Sequence, residues 1–223
     1  MNIMNTENNK DIFFPAGTAE VNIIPVMQGE EQMKVESGDL PDTLPILALR
    51  NAVLFPGMVY PVTIGRQKSI TLIKEAEKRD SFIGAVPQVD VTVEDPTEKD
   101  LYEYGTVSRV MKVLEMPDGT ITAIIQGVKR LRMDGVLSYE PYITARVKYI
   151  EDIIPENDNS TKMIAESRKE KAAVIIKSSS FAPKEAVGAL KSIDNYAFLV
   201  NFIAPPVEIE NFWEKVPLLG IDD

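Results

Sequence analysis

The chain of 223 residues contains no cysteine and no histidine. These two absences exclude disulfides, thiol nucleophiles, His-based catalytic triads and zinc sites built from thiolate or imidazole ligands. Only oxygen ligands remain for a metal, and the spacing of an EF-hand loop does not occur. A chain without cysteine is also compatible with a reducing compartment.

Positive charge is the scarcer sign in this chain. Lys and Arg number 24 against 34 Asp and Glu, which gives a formal net charge of −10. This balance disfavours a general nucleic-acid binder, because affinity for phosphates depends largely on neutralisation by cations. The first 43 residues hold eight acids and two lysines, a net charge of −6. We interpret residues 1–43 as an acidic leader and expect disorder there, since no hydrophobic period is sustained.

Long apolar runs and known catalytic motifs are also missing. No apolar run is long enough to cross a bilayer and the start lacks a secretory signal, so we predict a soluble, cytoplasmic chain without a membrane partner. The Walker A, Gly-x-Gly-x-x-Gly and Gly-x-Ser-x-Gly motifs do not occur. Spacing alone does not exclude a Ser-Lys dyad, but the serines lie in polar contexts such as Ser178–Ser180. We therefore predict that this chain alone is not an enzyme and holds no catalytic, cofactor-binding or metal-binding residue.

The most informative segment that is present is LPILALRNAVLFPGMVYPVTIGRQKS, residues 44–69. Apolar residues fill it, but Pro45, Pro56, Gly57 and Pro61 interrupt it before a helix can form. This pattern predicts two short extended pieces around a tight turn at Pro56–Gly57.

A helix and several strands are predicted after this turn. The period becomes helical from Gln67 to Arg79, with Glu75 and Arg79 at the spacing of an i,i+4 ion pair. The later extended segments are residues 82–86, 104–116, 120–126, 127–133 and 142–150, with a hairpin turn at 117–119. Residues 44–152 are thus predicted to form a curled antiparallel sheet or open barrel with one helix.

Beyond residue 152 the pattern of strands stops. Residues 153–159 are acidic and polar and predict a hinge, and residues 160–223 predict a small α-helical bundle. The predicted helices begin near Ser160, Pro183 and Asn195. The fold class is therefore α+β. The end of the sequence carries no capping signal, so we expect the native chain to continue past Asp223.

Two surfaces are candidate binding sites. Residues that flank the turn at Pro56–Gly57 either bury into the core or bind unfolded apolar segments, because large apolar side chains lose about 1.5–3 kcal/mol each when left in water. The candidate substrate-binding residues are Leu54, Phe55, Pro56, Met58 and Tyr60.

The second candidate surface is a basic face on the sheet, which could hold RNA phosphates or acidic peptide. Its residues are Arg109, Lys112, Lys129, Arg130, Arg132, Arg146 and Lys148. We favour the interpretation of an ordinary solvated sheet face, because stacking aromatics do not alternate with these charges.

Several segments resemble one family in the same order. Residues 44–69 resemble the start of the N-terminal substrate-recognition domain of Lon, the family of ATP-dependent proteases. GVKRLRMDGVLSYEPYITARVKYIED, residues 127–152, and IDNYAFLVNFIA, residues 193–204, are similar to later strands and to the helical part of that domain. The resemblance covers residues 44–223 and leaves the leader outside.

The resemblance implies a PUA-like β-rich subdomain, a helical bundle, and a parent enzyme with an AAA+ ATPase and a Ser-Lys protease module that forms a hexamer. The chain would then be a non-catalytic module that recognises misfolded and regulatory proteins and helps to organise the oligomer. ATP and magnesium would bind in modules that this chain lacks. The alternatives are a stand-alone LON-domain protein that binds a ligand or partner, and a PUA-like RNA-binding module.

Overall fold

The computed structural model describes residues 40–117, 119–152, 159–178, 186–193, 195–204 and 212–220. Within these ranges the strands are β1 (Thr43–Leu49), β2 (Val59–Ile64), β3 (Phe82–Pro87), β4 (Tyr104–Glu115), β5 (Ile121–Ser138) and β6 (Thr144–Tyr149). The helices are α1 (Gln67–Arg79), α2 (Asn159–Ser178), α3 (Ala186–Lys191) and α4 (Tyr196–Ile203), followed by a C-terminal 3₁₀ segment, Phe212–Gly220. The predicted disorder of residues 1–39, most of the predicted hinge and the predicted helix start at Pro183 lie outside the described residues.

The strands form one sheet in the order β2-β5-β4-β3-β1-β6, and β6 also pairs with β5. The long strand β5 makes this closure possible. Its first half pairs with β2 and its second half pairs with β6. Strands β5, β4, β3, β1 and β6 therefore form a closed barrel, and β2 extends the sheet outward from β5.

The α+β class predicted from the sequence is confirmed, with two differences in the sheet. Strands β1 and β3 pair in parallel, so the sheet is mixed rather than antiparallel throughout. A parallel pair needs a long crossover connection, which β2 and α1 provide here. Residues 127–133 continue β5 instead of starting a new strand. Gly127 marks a close backbone approach, since a Cβ there would stand 3.0 Å from the carbonyl carbon of Phe55.

Local predictions agree with the elements that position the site. Helix α1 spans the predicted residues, buries Leu72, Ile73 and Ala76, and carries the predicted pair between Glu75 and Arg79 at 3.3 Å. The β4–β5 hairpin is formed as predicted. In β6 the apolar side chains are buried or half-buried, whereas Arg146 and Lys148 are exposed, as the alternation predicted.

Apolar residues join the helical part of the chain to the barrel. Helices α2, α3 and α4 share one apolar cluster. The end of α4 and the C-terminal 3₁₀ segment instead enter the barrel core through Ala204, Val216 and Leu219. Asn195 caps α4 by accepting a hydrogen bond from the Phe198 amide at 3.0 Å, as a predicted helix start should. None of the helices described is long and apolar enough to cross a membrane.

Candidate functional site

The predicted turn at Pro56–Gly57 is tied firmly to the barrel. The amide of Met58 donates to the carbonyl of Phe55 at 3.2 Å, and Gly57 has a φ of 78°, which only glycine adopts without strain. The Gly57 amide donates to the carbonyl of Gly127 at 2.9 Å. The hydroxyl of Thr106 donates to the carbonyl of Leu54 at 2.6 Å. These bonds hold the turn against β4 and β5.

Burial separates the candidate residues of this turn. Leu54, Phe55 and Met58 are each 2% exposed and belong to the barrel core, and Pro56 is also buried. The sequence left core and partner open as alternatives, and the structure places these four side chains in the interior. Tyr60 is half-buried and lies at the surface. A substrate would reach the buried four only if the turn opened, so their role in substrate binding remains a prediction.

Tyr60 lines a groove of about 480 Å³ beside β2. One wall is formed by residues 60–65 and the other by residues 47–50 at the end of β1. Within the described part of the chain, β2 pairs only with β5, so the edge of β2 that faces this groove carries no strand. The groove has the size of a typical ligand cleft in a protein.

Three charged side chains stand at one end of this groove. Arg50 and Arg66 line it together with Glu94, which pairs with Arg50 at 3.0 Å. Arg66 donates to the side-chain oxygen of Gln88 at 2.5 Å and to the carbonyl of Val93 at 3.1 Å. Burial lowers the pKa of Arg66, and the like charge of Arg50 lowers this pKa further. Glu94 and the neighbouring Asp95 both act on Arg66 and offset part of this positive charge.

A second apolar surface lies on the β4–β5 hairpin. Met111, Leu114 and Met116 are 44%, 36% and 38% exposed. Isolated exposed apolar residues are normal, but three large ones on one strand and its turn are a feature of binding surfaces. Methionine adapts its shape to varied partners.

Five of the seven side chains of the candidate basic face contact an acidic side chain or an aromatic ring. Lys129 pairs with Glu151 at 2.6 Å, and Arg132 pairs with Glu103 at 3.6 Å. The remaining contacts are Lys148 with Asp134 at 3.2 Å, Arg130 with Asp152 at 3.0 Å, and Arg109 over the ring of Phe82 at 4.7 Å. Arg130 is only 8% exposed. These contacts reduce the charge available to phosphate, but Lys112 and Arg146 are exposed, so the choice between a solvated face and a phosphate-binding face stays a prediction.

In the ranges that the structure describes, no three acidic side chains converge on a point where a metal ion could bind.

Comparison with known proteins identifies the family. The family model described as the ATP-dependent protease La (LON) substrate-binding domain matches residues 43–222. The chain belongs to this family.

Curated relatives of this Lon substrate-binding domain are much longer proteins. The Lon protease of Flavobacterium johnsoniae is 43% identical over 205 residues, which cover 92% of this chain and 25% of that protein. The Lon protease of Cytophaga hutchinsonii is 37% identical over 207 residues, again 92% of this chain and 25% of that protein. The chain thus spans about a quarter of the length of these relatives.

Solved structures support the fold. The Lon N-terminal domain protein from Xanthomonas campestris superposes with a TM-score of 0.57 at 17% identity, covering 81% of this chain and 91% of that one. The N-terminal domain of a Mycobacterium avium complex Lon protease gives a TM-score of 0.60 with the same identity and coverage.

Sequence reasoning missed the groove of this Lon substrate-binding domain. Its walls come from β1 and β2, which do not pair with each other, and Glu94 reaches it from a distant loop. One signal was available. Pro61 interrupts an otherwise strand-like run, and proline within a strand indicates a sheet edge.

Proposed function

We propose that this Lon substrate-binding domain captures exposed apolar segments of unfolded or damaged proteins, here called clients, for an ATP-dependent protease. The family match over residues 43–222 carries this proposal. The groove beside β2 and the exposed methionines of the β4–β5 hairpin supply surfaces of suitable chemistry. Capture by such surfaces would be weak for one domain and stronger when several copies act together.

The predicted site residues take two roles in this proposal. Tyr60 contacts the client directly, because it lines the groove. Leu54, Phe55, Pro56 and Met58 are buried directly before β2, and in this proposal they hold the start of that strand in position. Direct contact between these four residues and a client would require the turn to open.

The remaining chemistry is assigned to parts of the protein outside this chain. We propose that ATP and magnesium bind there, that a Ser-Lys dyad there cleaves the client, and that this domain helps to organise a hexamer. A cytoplasmic location is part of the same proposal, and the absence of cysteine is compatible with it. The length of the curated relatives supports this division of labour.

A binding and turnover assay tests the proposed function. We expect the purified chain to bind a chemically unfolded model protein, such as reduced and carboxymethylated α-lactalbumin, and not its folded form. We expect no hydrolysis of ATP or peptide by the chain alone. The proposal fails if no binding is measured even when several copies are tethered together. The non-catalytic assignment fails if turnover survives purification and is lost on substitution of a single Ser or Lys.

A further inference from the structure

We propose that the open edge of β2 binds clients by strand addition, so that an extended client segment becomes an additional strand in the groove beside residues 60–65. This inference rests on the proposed function and adds its mode of binding. Strand addition is a recurring way for proteins to hold extended peptides, because main-chain hydrogen bonds give affinity without demanding one sequence.

The register of β2 shows which of its peptide groups are available. The amide of Gly127 donates to the carbonyl of Met58 at 2.8 Å, which places Met58 at a position that bonds to β5. Peptide groups alternate in direction along a strand, so the backbone N–H and C=O groups of Tyr60, Val62 and Ile64 also point toward β5. The backbone groups of Pro61 and Thr63 then point toward the groove.

Pro61 agrees with this assignment. Proline lacks an amide hydrogen and is tolerated in a sheet where that hydrogen would point away from the neighbouring strand. The edge therefore offers the carbonyl of Pro61 and both the amide and the carbonyl of Thr63. Thr63 is exposed, so these groups are within reach of a client.

The strand itself carries little protection against pairing. Natural edge strands are usually blocked by charged side chains, proline, bulges, short length or a covering element, and Pro61 supplies one such block in β2. The sequence of β2, VYPVTI, contains no charged residue. Pro61 removes one donor and leaves the groups of Thr63 open. An edge of this kind suits a domain that must accept strands from many different proteins.

Charge at the end of the groove narrows the client chemistry. Arg50 and Arg66 line the groove with Glu94, and Asp95 also acts on Arg66, but the Nε of Arg66 is buried without a hydrogen-bond partner among the described residues. The occupant that fits best is an extended segment of alternating apolar and small polar residues with an acidic residue at the end nearest these arginines.

Thr63→Pro tests the inference, with Thr63→Val as the matched control. Proline at this position removes the groove-facing amide and leaves the bonds to β5 unaffected, since Pro61 already occupies the equivalent position two residues earlier. The probe is a fluorescein-labelled decapeptide of alternating Val and Thr with one terminal Asp, and the measurement is fluorescence anisotropy. We expect Thr63→Pro to weaken binding at least tenfold, about 1.4 kcal/mol. Thr63→Val should bind like the native chain.

A second measurement on the native chain does not depend on the folding of a variant. Two versions of the decapeptide carry N-methyl groups on opposite sets of alternate amides. Only one set of amides can face β2 in strand addition, so we expect one version to lose binding and the other to retain it. Equal binding of both versions would overturn the inference.

The two proposals fail in different ways. If the native chain binds no unfolded protein, the proposed function fails. If it binds unfolded protein, and neither Thr63→Pro nor N-methylation matters, only strand addition fails. Self-association of the native chain that Thr63→Pro abolishes would assign the edge to a second copy and overturn the inference. If the peptide binds only after residues 1–39 are removed, the edge of β2 is occupied by the chain's own N-terminal residues. That result would also overturn the inference.

Discussion

Two methionines of this domain differ mainly in their surroundings. Met58 is 2% exposed in the barrel core, whereas Met111 is 44% exposed on β4. Met58→Ala removes packed atoms and leaves a cavity, so we expect it to lower the free energy of unfolding by about 2–5 kcal/mol. Met111→Ala, the same substitution at the surface, should change it by less than about 0.5 kcal/mol. Urea denaturation of both variants measures the difference.

The same pair also reports on the turn. If Met58→Ala costs no more than Met111→Ala, the turn at Pro56–Gly57 is not held in the core. Direct capture of clients by Leu54, Phe55 and Met58 would then become the better account. In that case Met58→Ala should weaken binding of unfolded protein at unchanged stability.

The local sequence did not determine which residues around the turn at Pro56–Gly57 are buried. The run LFPGMVY shows that the residues are apolar and that the chain turns, because Pro56 and Gly57 act locally. The placement of Leu54 and Phe55 depends on contacts with Thr106 and Gly127, which lie 52 and 72 residues away from them. No local pattern carries that information.

At the scale of elements, β5 depends on a glycine in its middle. A Cβ on Gly127 would collide with the carbonyl oxygen of Phe55 and stand 3.1 Å from a methyl group of Thr106. Gly127→Ala must therefore displace the turn or distort β5. We expect it to lower the free energy of unfolding by about 1–3 kcal/mol or more, as overpacking does.

Gly188 in α3 provides the matched control for this substitution. Nothing lies within 4 Å of a Cβ built there. Gly188→Ala should therefore raise stability by about 0.5–1 kcal/mol, because alanine favours a helix over glycine. Thermal denaturation would show shifts of opposite sign. A gain in stability from Gly127→Ala would contradict the close approach between the turn and β5.

Elements governed by local signals were predictable, and pairings between distant elements were not. The bounds of α1 followed from its period, the β4–β5 hairpin from its turn residues, and α4 from the cap at Asn195. The parallel pairing of β1 with β3 depends on a crossover through 32 intervening residues, from 50 to 81. The glycine at 127 suggested a break in the sheet, but its cause is a contact with a different segment.

At the scale of the whole molecule, the barrel and the C-terminal 3₁₀ segment share one core. Leu219 is fully buried among barrel residues, and Arg130 of β5 donates to its carbonyl at 3.4 Å. Arg130 thus joins the barrel to the C-terminal part instead of presenting charge to solvent. Stability of the barrel should then depend on a residue that follows its last strand by 70 positions, Tyr149 to Leu219.

Leu219→Ala tests this dependence, and its neighbour Leu218, which is 40% exposed, supplies the control. We expect Leu219→Ala to lower the free energy of unfolding by about 2–5 kcal/mol, because the cavity opens in the barrel core. Leu218→Ala should change it by less than about 0.5 kcal/mol. Amide hydrogen exchange of β4 and β5 measures the change in barrel stability directly, because exchange of these amides requires the barrel to open. If Leu219→Ala leaves the protection of these strands unchanged, the segment packs on the barrel without stabilising it, and the shared core is only a contact surface.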